Sequence, residues 1–307
     1  ATLSGGERKR AALALAFACN FVLLGSYYIL RPVRDAMATV FGVDQLQNLF
    51  TGTLVLPLLA SPAFAWLTDH FRLSRVLPGV FAFWILNILG FCAWFPASPE
   101  SRTLAAAFYW WFSVVDLFVI SVFWSLVVDV FTPGQASRLL PAITAGGSLG
   151  AIAGPLVASL FATSIGVSGL LLVSAGGLAI VIAMVLSMIG EKARLREAQQ
   201  ETQASTLERQ LGGSWLDGFK VLFTSSYVMN QALFMLLMTW IATIGYFLQT
   251  ELVAKAFTSI EDRTRALADI DLAVNVCSAA VAMFGLSRFI KRFGVTGSLV
   301  LNPILMV

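Results

Sequence analysis

The stretch AALALAFACNFVLLGSYYIL, residues 11–30, runs for 20 positions without a charged side chain. As a helix it is about 30 Å long, the thickness of a bilayer's hydrocarbon core. Glu7-Arg8-Lys9-Arg10 precede it, so it resembles a secretory signal superficially. Its apolar part is too long for one, and it reads as a retained first span. Runs of the same kind occupy residues 46–68, 76–95, 104–130, 139–162, 168–189, 225–250 and 270–289. A ninth begins near residue 297, and the sequence stops inside it at Leu305-Met306-Val307, which leads us to expect a truncated or incomplete chain. In hydrocarbon each segment must satisfy its own backbone polar groups, so runs of this length are helices. The expected fold is an all-α polytopic transmembrane bundle.

The composition agrees with this. The chain of 307 residues is 58% hydrophobic and 12% charged, with a mean hydropathy of +0.82. Soluble domains run at about 25% charged, and no compact soluble fold hides so much apolar surface. The net charge of +3 sits in short clusters between the apolar runs, a pattern that orients a membrane protein and does not read nucleic acid. Cys19, Cys92 and Cys277 are odd in number and far apart, which excludes a disulfide framework, and His70 is the only histidine, so no metal site or cofactor is expected. No GxxxxGK[ST] or HExxH element occurs, so readings as an ATP-hydrolysing enzyme or a zinc peptidase lack their minimum parts.

Lysine and arginine place the N-terminus in the cytoplasm. Arg8, Lys9, Arg10, Arg72, Arg75, Arg138 and the basic residues of 191–220 all fall on one side, while Arg31, Arg34, Arg102, Lys255, Arg263 and Arg265 fall on the other. The one long hydrophilic stretch, from Glu191 to about Lys220, reads as a partly helical cytoplasmic linker. It divides the chain into a six-helix bundle (1–190), a linker (191–220) and a partial second bundle of about three helices (221–307). The two parts echo each other: charged residues close the second run at Asp69 to Arg75 and the eighth at Arg288 to Gly294.

Several polar side chains in apolar surroundings are candidates for function. Tyr27-Tyr28-Ile29-Leu30-Arg31-Pro32-Val33-Arg34-Asp35 puts two arginines and an acid at the outer end of the first span. Arg31 and Asp35, four apart, are placed to pair on one helical face while Arg34 points elsewhere. The alternatives are a substrate-facing cluster and arginines snorkelling to headgroups beside a tyrosine belt. Asp116 lies near the middle of the fourth run, where an acid costs about 2.5–3.5 kcal/mol on insertion, and Asp129 lies toward its cytoplasmic end. Asp116 suits a cavity-facing or proton-linked acid; a structural hydrogen-bond partner is the other reading. Glu251 and Lys255, again four apart, form either an exposed helical ion pair or part of the substrate path. Gly146, Gly150 and Gly154, followed by Pro155, form a GxxxGxxxGP stripe that lets another helix approach closely, as a sliding contact in alternating access would require.

Six spans, a charged linker and a second set of spans resemble the major facilitator superfamily of transporters. Leu67-Thr68-Asp69 with Arg75 is similar to its acid-and-base signature between spans two and three, and Gly154-Pro155 is similar to its span-five antiporter motif. Ala158 and Ser159 stand where that motif has its final glycines. Within the superfamily, YYILRPVRDAM (27–37), Pro57, Phe123-Trp124 followed by Asp129, Ala136, Arg138 and GGSLGAIAGP, and Leu248 to Lys255 resemble the ATP/ADP translocase family of intracellular bacteria and plastids. The resemblance implies that Arg34 stands where that family has a functional lysine, and Asp129 and Glu251 where it has functional glutamates.

The resulting expectation is a secondary transporter of a bacterial inner membrane. Its partners would be membrane lipids and a small anionic solute, with nucleotide the leading candidate. Arg31, Arg34, Asp35, Asp129, Glu251 and Lys255 would bind substrate, and Asp116, Asp69 and Arg75 would couple or gate. A proton-coupled exporter working through Asp116 and a structural or lipid-handling membrane protein are the alternatives.

Overall fold

A computed structural model describes residues 5–70, 73–130, 133–199, 223–285 and 292. Among them the chain is helical almost throughout, with no strand. The long helices are α1 (Gly5–Phe41), α2 (Leu46–His70), α3 (Leu73–Trp94), α4 (Arg102–Val130), α5 (Pro133–Gln199), α6 (Ser226–Ala256) and α7 (Ile260–Ala280). Six helices among the described residues are long and apolar enough to cross a membrane. Large apolar side chains such as Leu54, Leu58, Leu86, Leu160 and Leu252 are exposed, as lipid-facing positions are.

Helix α1 lies at the centre. It does not end near residue 30 but continues to Phe41, so the Arg31–Asp35 segment sits inside the helix and not at its exit. Pro32 lacks the N–H that would bond the Tyr28 carbonyl, and the helix persists because surrounding helices hold it. It ends at Gly42, whose φ of 116° only glycine adopts without strain.

Helix α5 consists of two helical arms that meet at Gly166, where φ is 68°. On the first arm, a Cβ on Gly154 would lie 2.6 Å from the Gly25 carbonyl oxygen of α1. On the second arm, Ser174 donates a 2.9 Å hydrogen bond to the Ser26 carbonyl. Both arms therefore pass α1 at the same level, and the chain doubles back at Gly166. The second arm continues to Gln199, into the stretch read as linker.

The glycine stripe belongs to the first arm. Side chains at Gly146 and Gly150 would run into the backbone carbonyls of Phe17 and Phe21, so α1 and α5 touch backbone to backbone. The stripe thus joins the first and fifth helices.

Helix α7 starts at Ile260, ten residues before the apolar run that signalled it. Ser259 accepts a 3.1 Å hydrogen bond from the Asp262 N–H, and Glu261 and Asp262 occupy the first turn, where acids favour a helix. Arg263, Asp269 and Asp271 are therefore helical positions. The helix passes into a π-turn at Val281–Gly285.

Candidate functional site

The polar residues of α1 lie among α4, α6 and α7. Tyr27 stacks on Phe112 of α4 at 4.8 Å, and Arg34 lies over Tyr109 and Phe112 at 5.2 and 5.4 Å. Residue numbers rise along α1 as they fall along α4, so the two helices are antiparallel. The same holds for α1 and α7, through Arg31 with Asp271 and Thr39 with Arg263.

Arg34, with its side chain 16% exposed, is not a snorkelling residue. Its Nε and Nη2 donate 2.9 and 2.6 Å hydrogen bonds to Asp35 Oδ1, and the aromatic faces of Tyr109 and Phe112 complete its surroundings. Tyr246 of α6 donates a 2.9 Å bond to the same oxygen, and the Tyr109 and Tyr246 hydroxyls are 3.3 Å apart. The expected Arg31–Asp35 pair is therefore replaced by an Arg34–Asp35 pair. Two causes account for it: a base placed N-terminal to an acid is the weaker order on a helix, and Arg31 meets another carboxylate. Its Nε lies 3.7 Å from Asp271 Oδ2 of α7.

These groups bound one end of a cavity of about 680 Å³. It follows α1 from Arg34 and Arg31 past Tyr28, Tyr27 and Asn20, with Asp116, Phe123 and Trp124 of α4 on one wall. Thr144, Gly147 and Ser148 of α5 and Asn275 and Ser278 of α7 line the others. Asp116 is half-buried and lines the same cavity as Tyr27. The cavity thus combines two guanidinium groups, one carboxylate, aromatic faces and short polar side chains.

Beyond the Arg34 end, further contacts tie α1 and α5 to the later helices. Arg263 donates 3.0 Å to Thr39 Oγ1 and 2.9 Å to the Phe257 carbonyl, and Ser159 donates to Asp269. Phe50 of α2 stacks on Phe247 of α6 at 5.4 Å. Together these contacts close that end.

Glu251 and Lys255 form a 2.5 Å ion pair along α6, with the lysine side chain 72% exposed, and neither lines the cavity. The side chains of Asp69, Arg75 and Asp129 lie outside the described residues, as do the linker after Gln199 and the ninth run. Among the described residues no three His, Cys, Asp or Glu side chains converge as a metal site would need. Sequence reasoning missed Tyr109, Tyr246, Asp269 and Asp271. Asp271 carried a usable signal, since ADIDLAVNV places acids where a membrane helix starts.

The Major Facilitator Superfamily model matches residues 16–307. The chain belongs to that superfamily, and it is a membrane transporter of the major facilitator kind. No match was found among curated proteins or among solved structures.

Proposed function

We propose that the protein is a secondary active transporter of a small organic anion, working by alternating access, with ATP/ADP-type nucleotide exchange as the leading substrate reading. The observation that carries this is the pair Arg31 and Arg34, both lining the cavity beside Tyr27, Tyr28, Phe123 and Trp124. A planar guanidinium fork suits phosphate or carboxylate, and aromatic faces suit a base. In this reading the N-terminus is cytoplasmic, the membrane is a bacterial inner membrane, and residues 1–190 and 221–307 are the two moving bundles. Asp129 and Glu251, which the resemblance to the nucleotide carriers would set at functional charged positions, would act in coupling.

The test is uptake by liposomes containing the purified protein. Labelled ATP should enter in exchange for internal ADP, and Arg34→Ala should abolish the exchange. No exchange of any nucleotide or organic anion by the intact protein would defeat the reading.

A second reading rests on Asp116, a carboxylate that lines the same cavity. In a proton-coupled exporter it would be the protonated group. Uptake driven by a pH gradient and lost in Asp116→Asn would favour that reading over exchange.

A further inference from the structure

We infer that Asp271 is a built-in competitor of the transported anion at Arg31, and that its displacement from Arg31 unlocks the closed end of the cavity. The inference rests on the anion reading above, which it deepens.

Arg31 does two jobs at once. Its side chain is 36% exposed and lines the cavity, so a solute can reach it. It is also the α1 member of an ion pair with α7. That pair is half made: at 3.7 Å it is beyond hydrogen-bonding distance, and the buried Asp271 Oδ2 has no hydrogen-bond partner. By contrast, Asp35 receives two hydrogen bonds from Arg34 and one from Tyr246. Of the two carboxylates facing the arginines, Asp271 is the one held loosely.

The shape of the cavity brings a solute to this point. Asn275, Ser278 and Ala279 line it from α7, and they follow Asp271 at helical spacings of four, seven and eight, on the same face. An anion moving along that face reaches Arg31 next to Asp271.

Charge then couples binding to motion. The charged groups acting on Asp271 are Arg31, Arg34 and Asp35 of α1, and Asp116 of α4 lines the cavity that Arg31 and Arg34 also line. The adjoining first arm of α5 contributes none, since residues 139–165 contain no charged side chain, and α6 contributes the Tyr246 hydroxyl. An anion that takes Arg31 leaves Asp271, itself only 9% exposed, as a buried charge without its ion-pair partner. Such a charge is strongly destabilising until water reaches it. Separation of α7 from α1 at the closed end admits that water, so occupancy favours opening there.

Asp271→Asn keeps the shape and removes the competing charge. In purified full chain, labelled ADP should bind at least about tenfold tighter to this variant than to the wild type, while exchange in liposomes slows, because binding no longer strands a charge. Equal or weaker ADP binding overturns the inference. Asp271→Glu, which restores the charge, should return both values toward wild type, and failure to do so also counts against it. If the wild type binds no ADP, the nucleotide reading fails separately, and spin labels on the exposed Gln47 and Arg265, with the native cysteines replaced by alanine, decide the latch by itself. Without ligand, Asp271→Asn should add a longer-distance population; an unchanged distribution rejects the inference whatever the substrate.

Discussion

Tyr246 donates a 2.9 Å hydrogen bond to Asp35 Oδ1, joining α6 to α1 across 211 positions of sequence. The same oxygen holds Arg34, so a contact between distant helices and the buried cation of the cavity share one acceptor. Whatever disturbs Arg34 therefore disturbs the α1–α6 contact.

Tyr246→Phe tests that link. It removes the hydrogen bond to Asp35, worth about 1.5–3 kcal/mol, and with it the longer one accepted from Tyr109, while the ring stays against Phe50. The melting temperature in detergent should fall, and cysteines introduced near the Phe41 end should become more reactive to aqueous thiol reagents.

Arg34→Lys separates charge from geometry. Lysine preserves the positive charge but cannot donate two bonds to Asp35 while lying flat over Tyr109. Anion exchange should fall by tenfold or more with the protein still folded, and Arg34→Ala should leave none. Asp35→Ala should be worse for stability, at about 3–5 kcal/mol, because it strands a buried arginine. Chemical denaturation in detergent measures the difference.

Gly150→Ala and Gly166→Ala should fail for different reasons. At Gly150 the added methyl collides with the Phe21 backbone, which forces α5 off α1 at a cost of about 1–3 kcal/mol or more. At Gly166 no atom lies within 4 Å of the methyl, and only the left-handed backbone opposes it, at about 1–2 kcal/mol. Gly150→Ala should lower both expression and thermal stability, and Gly166→Ala should lower stability alone.

The spans were legible because hydrocarbon imposes a length and a composition on any helix crossing it, and residues 11–30 meet both. The hairpin at Gly166 was legible too, as the gap between the fifth and sixth runs. The polar contacts were less so. Arg31 has an acid four residues away in sequence and another 240 positions away, and no local rule ranks them. Tyr109 and Tyr246 look like interfacial tyrosines until antiparallel packing sets their hydroxyls side by side. The start of α7 was misplaced because its first turns carry charge, and a hydropathy pattern discards charged turns even where the helix runs through them.

The backbone-to-backbone seam between α1 and the first arm of α5 has a mechanical consequence. Helices separated by side chains can shear, because rotamers take up the change; carbonyls facing bare glycines offer no such slack. The two helices must therefore tilt as one girder. The freedom that transport requires is then left to the faces α1 turns toward α6 and α7, where tyrosine hydroxyls and a loosely held carboxylate are parts that can let go.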